Sequence, residues 1–370
     1  MLPMNHPRPE WAPSGSTGEE QRGMASDRGR KSTIYDIATS TGTSPATVSM
    51  VLNGTWQRYR ISEATAARVL GAARDIGYTT NMKARGLRLA RSGLAGMIMP
   101  HYRNRFFAGL SETFEAGARA RGFCPMVVST QRQPETEREV VERLLSHQVE
   151  FLFIVGVARP EPLNDLCHAA GIPCVNIDLP GANAPSVVSD NRGGARMLTD
   201  VLLDKIAAAD RGTAGEEIHF LGGVAGEYAT EERVAGFREA LAARGLPLRD
   251  DRIHPCGYSP PVARRAAEDL CRRLGGMPAG LFVNSITAFE GAVQFFQSLD
   301  RAAFHGRFIG CFDWDPFAAF LPFPVTMLRQ NVEAMIEQGF AYIEQYRPDE
   351  FPMTRIPPRF GPVAGDVRNA

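Results

Sequence analysis

The chain has 370 residues, too many for one ordinary domain and enough for two or three. Apolar residues make up 44% and charged residues 22%, the profile of a globular chain with a large core, which excludes a fibrous or wholly disordered protein. The formal charge is zero, yet residues 31–92 hold nine Lys or Arg against three acids, so a block of +6 stands against a remainder of −6 and suits an appended polyanion-binding module.

Residues 1–31 are rich in Pro, Gly, Ser and Arg and lack an apolar stretch, so they do not read as a secretory signal. They read as a disordered arm, or as a stretch ahead of the true start. No apolar run reaches membrane-spanning length. The cysteines Cys124, Cys167, Cys174, Cys256, Cys271 and Cys311 form no C-x-x-C, and no nearby His completes a zinc pattern. They read as buried thiols of a reducing cytoplasm, with no metal and no cofactor expected.

Order is predicted from Thr33. Thr33-Ile34-Tyr35-Asp36 resembles a capping box with Asp for the usual Glu, and Ile34, Ile37 and Ala38 share one helical face. Gly42 supplies the backbone freedom of a tight turn. Ser44 is a good N-cap and Pro45 suits the first helical position, so a second helix is predicted from Pro45 to Asn53, closed by Gly54. Two short helices around such a turn are the helix-turn-helix pattern, whose second helix leads into the major groove. Its leading side chains are Pro45, Ala46, Thr47, Ser49 and Met50. Thr47 and Ser49 suit phosphates or base edges, and Ala46 and Met50 suit apolar contacts such as thymine methyls. An ordinary helical hairpin is the competing reading. A third helix is predicted from Ser62, with Ala66, Val69, Leu70, Ala73 and Ile76 as its apolar stripe and Gly77 as its stop.

Residues 80–92 follow as a cationic segment. Asn81 can cap a short helix there, but that helix has little apolar surface and a destabilising Gly86. Against phosphates it would fold on contact, with Lys83, Arg85, Arg88 or Arg91 on the backbone and Leu87 as an apolar wedge; otherwise it is a basic linker.

Residues 33–92 resemble the headpiece and hinge of the lac repressor family. The matching text is Tyr35-Asp36-Ile37-Ala38, Ser44, Ala46-Thr47-Val48-Ser49, Val51-Leu52-Asn53-Gly54, and Tyr78 with Asn81. Tyr59-Arg60-Ile61-Ser62 and Gly86-Leu87-Arg88 are similar to the branch of fructose (catabolite repressor/activator) and sucrose repressors. The resemblance implies DNA contacts from Thr33, Tyr35, Ser44, Pro45, Ala46, Thr47, Ser49, Met50 and Asn53. It adds hinge contacts from Asn81, Ala84, Arg85, Leu87 and Arg88, with Leu87 intercalating in the minor groove. The chain departs from the family at Met50, where an Arg is usual, at Thr43 for Val and at Thr80 for Pro.

From Leu94, apolar strands alternate with amphipathic helices. Residues 94–99, 125–128, 151–155, 173–177, 218–221, 280–283, 308–311 and 325–328 read as buried strands, with helices between them such as 135–146, 192–205, 231–244 and 261–274. Such alternation predicts parallel sheets covered on both faces, and this length favours two of them. The expected fold is therefore an all-α helix-turn-helix headpiece over 32–79, a hinge over 80–92 and an α/β region of parallel sheets over 93–363. The resemblance makes that region periplasmic-binding-protein-like, with one lobe from about 93–190 and 326–350 and the other from about 191–325 and 351–361.

Ligands in such sheets bind at the carboxyl ends of strands. Asn104-Arg105-Phe106-Phe107 follows the first strand, and Asp178, Ser285 and Asp313 end others; Arg233 begins an R-x-x-G-F pattern. In the family, the positions matching Phe106, Phe107, Arg233, Ser285 and Asp313 bind effector. Asp313 would accept hydroxyl bonds, and Arg233 would clamp hydroxyl, carboxylate or phosphate groups. A core role for the Phe pair and a salt bridge for Arg233 are the bland alternatives. Sugar-phosphate responders of this branch show Asp-Arg where this chain has Asp178-Leu179, which weakens the case for a phosphorylated effector. There is no G-x-S-x-G, no G-x-x-x-x-G-K-[ST], and no His pair at metal-ligand spacing.

The expected protein is thus a cytoplasmic, homodimeric transcriptional regulator of the repressor type, not an enzyme, that binds operator DNA and a sugar-like effector. A tetramer is not expected, because the tail after Phe360 lacks a leucine heptad. The competing readings are a sugar-binding protein with a vestigial headpiece and an enzyme on an α/β scaffold.

Overall fold

A computed structural model describes residues 32–78, 91–209, 218–247 and 249–361. The arm over 1–31, and Asn81, Ala84, Arg85, Leu87 and Arg88 of the hinge, lie outside the described residues. The chain divides into two units, residues 1–85 and 86–370.

The first unit holds three helices, α1 (Ile34–Thr41), α2 (Pro45–Leu52) and α3 (Glu63–Asp75). Each start is chemically fixed. Thr33 Oγ1 accepts the amide of Asp36 while Asp36 Oδ2 accepts the amide of Thr33, at 3.4 and 2.7 Å, completing the capping box. Ser44 accepts the amide of Thr47 at 3.1 Å and Ser62 that of Thr65 at 3.2 Å. Gly42 ends α1 at φ 63°, where a side chain would be strained. Ile37, Ala38, Val48, Val51, Ala66, Val69 and Ala73 form the core. Leu70 and Ile76 do not join it: both are exposed, because a three-helix unit this small leaves α3 a narrower buried stripe than its apolar residues suggest.

The second unit contains two six-stranded sheets. The first has the order β11-β5-β4-β3-β1-β2, from β1 (Leu94–Met99), β2 (Cys124–Ser129), β3 (Leu152–Val155), β4 (Cys174–Ile177), β5 (Ser186–Ser189) and β11 (Met353–Ile356), all parallel. The second has the order β12-β10-β9-β8-β6-β7, from β6 (Ile218–Leu221), β7 (Ile253–His254), β8 (Gly280–Val283), β9 (Phe308–Phe312), β10 (Val325–Arg329) and β12 (Arg359–Phe360), with only β12 antiparallel to its neighbour. Helices α4 (Arg105–Ala120) and α11 (Val332–Glu344) cover one face of the first sheet, and α5 (Pro134–Ser146) and α6 (Glu161–Ala169) the other. On the second sheet the pairs are α7 (Asn191–Ala208) with α8 (Tyr228–Ala243), and α9 (Pro260–Leu274) with α10 (Ile286–Phe296). Phe114 of α4 and Phe340 of α11 stack at 5.8 Å over Phe153, which seats the late helix in the first lobe.

Several expectations need correction. The chain passes between lobes after Ser189, near Gln330 and between Ile356 and Arg359, not near 325 and 350. Val325–Arg329 must finish its pairing with Ile309–Phe312 before it leaves the second sheet, and Met353–Ile356 runs beside Ser186–Ser189 in the first. The alternation is broken where β4 passes to β5 without a helix. Strand β2 is only partly buried because it lies at a sheet edge. Cys124 on that edge is exposed and Cys256 is half-buried, so not all the thiols are core residues.

Gly236 carries a packing constraint that can be tested. A Cβ there would lie 2.1 Å from the carbonyl oxygen of Arg192, so α8 can lie this close to α7 only with a hydrogen at that position. In a free helix interior, Gly to Ala gains about 1 kcal/mol. Here Gly236→Ala is expected to destabilise the protein by about 1–3 kcal/mol, as overpacking does. A thermal unfolding scan checks the sign; a raised midpoint would contradict this packing.

Candidate functional site

The first unit presents one face of α2. Ala46 is exposed, and Pro45, Thr47, Ser49 and Met50 are half-buried, while Val48 and Val51 turn into the core. The alternation follows from helical periodicity: the two valines hold the helix down and leave the intervening residues outward. The Ser44 and Thr47 hydroxyls lie 2.9 Å apart, and Asn53 donates to the Ser49 carbonyl at 2.8 Å. Tyr35 is 66% exposed at the start of α1. Thr33 commits its hydroxyl to Asp36, so its side chain acts first as a cap. Between α2 and α3, Arg58, Tyr59 and Arg60 form an exposed basic turn, with Arg60 at φ 53°.

In the second unit, Phe106, Phe107, Asp178, Arg233, Ser285 and Asp313 all line one cavity of about 820 Å³ between the lobes. Asn104 accepts the amide of Phe106 at 2.9 Å and so starts α4 with both rings at the cavity. The rings are 5.2 Å apart; Phe107 is also part of the first lobe's core. Asp178 and Asp313 follow β4 and β9, the corresponding strand ends of the two lobes. Both have positive φ, 78° and 128°, a conformation uncommon for non-glycine residues. Asp313 is met by the Ile286 amide at 3.1 Å and by Gln330 Nε2 at 2.6 Å. Ser285 accepts the Ala288 amide at 3.3 Å, so it caps α10 as well as lining the cavity.

Arg233 is buried. Its Nε donates to Asn191 Oδ1 at 2.8 Å, another nitrogen donates to the Asn284 carbonyl, and its guanidinium lies 3.8 Å from the centre of the Phe312 ring. The bland expectation of a carboxylate salt bridge is not met among the described residues. Asn284 Oδ1 and Nδ2 and Asn191 Nδ2, all buried, have no partner among the described residues. Such atoms normally bind water or ligand.

Burial pushes the Asp178 carboxyl up to about 7; Arg132 and Arg233 oppose the shift, and Glu227 and Asp313 add to it. Burial also raises Asp313, against the pull of Arg233, Gln330 and the Ile286 amide. His101 is lowered by burial and then by Arg132 and Arg103, which favours its neutral form.

Apart from Arg105, which stands in the Asn104-Arg105-Phe106-Phe107 stretch already noted, several lining residues escaped the sequence reading. Arg105 pairs with Asp315 at 2.5 Å, and Arg132 with Glu227 at 3.2 Å, each bridging the two lobes. Tyr258 donates to Glu227, and Gln330 joins Asp313 to Ser189. Asp315 lies two residues beyond Asp313, on the same strand-end loop. Arg132, Glu227 and Tyr258 belong to no motif, and only the fold brings them together.

Comparison with known proteins agrees with this geometry. The profile for bacterial regulatory proteins of the lacI family matches residues 33–81, and that for a periplasmic binding protein domain matches residues 95–319. A ribitol operon repressor of Klebsiella aerogenes is 41% identical over 243 residues, spanning 66% of this chain and 88% of the relative. A sucrose operon repressor of Klebsiella pneumoniae is 30% identical over 268 residues, spanning 72% and 78%. The crystal structure of the Cra transcriptional dual regulator from Pseudomonas putida with fructose 1-phosphate superposes with a TM-score of 0.62 at 25% identity, covering 73% of this chain and 98% of that one. With a lacI-type profile over the three-helix unit, a periplasmic-binding-protein profile over the two lobes, and a repressor 41% identical of which 88% is covered, the chain belongs to the lacI family of bacterial regulatory proteins.

Proposed function

We propose that the chain is a cytoplasmic, homodimeric repressor that binds a duplex operator through α2 and releases or tightens its grip when an uncharged sugar or sugar alcohol fills the cleft. The observation that carries the reading is the convergence of six residues from both lobes, five of them at strand ends or helix starts, on one cavity, in a chain that also bears an exposed helix-turn-helix. A single helix reads a short half-site, so two symmetric copies are needed for useful affinity. The buried carboxyls of Asp178 and Asp313 are acceptors for hydroxyl donors, and Arg233 is held rigidly beside them. The relative named as a ribitol operon repressor makes ribitol the first ligand to test. Ligand-driven lobe closure would then shift the two hinge segments of a dimer, and DNA affinity with them. We read the cleft as a sensor and not as a catalytic site, in keeping with relatives that are repressors. No helix among the described residues is long and apolar enough to cross a membrane.

The DNA reading is tested by gel shift of the full chain on the DNA upstream of its own gene. Specific binding is expected to survive random competitor and to weaken steeply with salt. Leu87→Ala is expected to reduce specific binding far more than non-specific binding. Equal loss of both would reject the wedge role, and no preference for any duplex would reject the regulator.

Arg233→Ala is expected to cost effector binding about 30-fold or more, since it strands the Asn191 and Asn284 acceptors, while operator binding without effector persists. Retained effector response in this variant would remove Arg233 from the site.

The raised Asp178 gives the cleft a pH dependence. A ligand hydroxyl donates to the ionised carboxylate, so effector binding is expected to strengthen from pH 6 to pH 8, with proton release on binding. The stability sign is the reverse. A carboxyl raised to about 7 in the fold contributes stability at low pH that is lost as pH rises through 7, so the unliganded protein should lose stability over the same interval. Calorimetry in buffers of different ionisation enthalpy reads the protons, and Asp178→Asn should flatten both profiles.

A further inference from the structure

We propose that Glu227 sets the cleft's preference for uncharged over phosphorylated ligands by neutralising Arg132. This rests on reading the cleft as the effector site. The cavity lining contains four guanidinium groups, Arg103, Arg105, Arg132 and Arg233, and five carboxyl groups, Asp178, Glu227, Glu290, Asp313 and Asp315. What matters to an anionic ligand is which cations remain available. Arg105 is held by Asp315, and Arg233 is spent on Asn191, the Asn284 carbonyl and the Phe312 ring. Arg103 is exposed at the rim. Arg132 is therefore the inward cation on which the charge of a ligand would act.

Arg132 is placed with some strain. It and Gln131 are consecutive non-glycine residues at φ 56°, in the turn between β2 and α5. Its guanidinium lies 5.1 Å from the centre of the Tyr258 ring and 5.9 Å from that of Phe107, so aromatic faces from both lobes border it. Glu227 comes from the opposite lobe. It stands at the start of α8 yet makes no capping bond with its side chain; the carboxylate instead takes the Arg132 ion pair at 3.2 Å and the hydroxyls of Tyr258 and Thr230. Its side chain is 9% exposed, against 28% for Arg132. A carboxylate so buried and so fully bonded does not swing aside at small cost. A phosphate approaching Arg132 must displace it or lie against its charge, whereas a hydroxyl group meets neither penalty.

The test uses the full-length protein with three probes: ribitol, ribitol 5-phosphate and inorganic phosphate, with affinities read by calorimetry. The wild type should bind ribitol in preference to its phosphate. In Glu227→Gln the ratio should move at least about tenfold toward the phosphate, and inorganic phosphate should bind correspondingly tighter, because the Arg132 charge is released. Glu227→Asp should restore the wild-type preference, and the added change Arg132→Gln should abolish the gain. Arg132→Gln alone should move the ratio the opposite way, leaving Glu227 uncompensated. An unchanged ratio and unchanged phosphate affinity in folded Glu227→Gln would overturn the proposal, as would a gain that survives loss of Arg132. If Glu227→Gln fails to fold, the single Arg132→Gln variant decides by the direction of its shift. Failure of the wild type to bind ribitol or any neutral sugar would instead count against the effector reading, while the phosphate measurement still tests the mask.

Discussion

Two carboxyl groups buried between lobes impose the strictest condition on this structure. Asp178 and Asp313 lie at corresponding strand ends, each with less than a tenth of its surface exposed and each on a backbone of positive φ. Backbone strain of this kind costs about 1–3 kcal/mol per residue, and burial adds the loss of hydration. A fold keeps such groups only if donors converge on them. The amide that starts α10, the Gln330 side chain and the nearby Arg233 meet that demand at Asp313; Arg132 and Arg233 meet part of it at Asp178. The lobes supply these donors from helix starts and strand ends because those are the places where parallel sheets leave backbone groups and side chains unpaired.

The same condition links the cleft to the segments that join the lobes. Gln330 donates to Asp313 and accepts from Ser189, and the next residue, Asp190, donates its amide to the Ile356 carbonyl at 2.8 Å. Gln330, Ser189, Asp190 and Ile356 lie at the three places where the chain passes between sheets. A ligand hydroxyl that bonds Asp313 competes with Gln330 for one carboxylate. Whatever Gln330 does next is felt at Ser189, because all three groups are buried and a broken bond there has no water to replace it. Coupling of this sort needs no long pathway; it requires only that the acceptor in the cleft and the crossing strands share a side chain.

How much of this was legible in the sequence depended on whether the signal was local. The three headpiece helices could be read because Thr33, Ser44 and Ser62 cap their own helix starts through bonds to residues three positions on, and Pro45 suits the first position of α2. That Asp178, Ser285 and Asp313 line the cavity could be read because parallel-sheet topology opens a crevice at the strand ends where they stand. The lobe boundaries misled because β11 and β12 are short, partly exposed and separated by two residues, so their hydrophobic pattern does not say which sheet each joins. Leu70 and Ile76 misled because periodicity marks an apolar stripe without giving its buried width. Arg105 with Asp315 is 210 residues apart in sequence, and Arg132 with Glu227 is 95. No spacing rule reaches such pairs; only the docked lobes make them neighbours.

Zero net charge gains meaning once partners are assigned. In the two lobes, exposed arginines are commonly answered by carboxylates nearby: Arg138 by Glu142, Arg143 by Glu139, Arg272 by Glu268 and Asp269, Arg329 by Glu333. Each pair contributes little stability, about 0.3–0.5 kcal/mol for helical neighbours. Their larger effect is on the field, since a paired cation offers little to a distant phosphate. In the first unit, Arg58, Arg60 and Arg68 have no carboxylate partner among the described residues. The lobes hold the −6 that balances the +6 of residues 31–92, so they add no general attraction to DNA, and phosphate contacts fall to the basic N-terminal part of the chain. That division favours sequence discrimination over general adhesion, because every additional unpaired cation elsewhere would raise affinity for all duplexes equally.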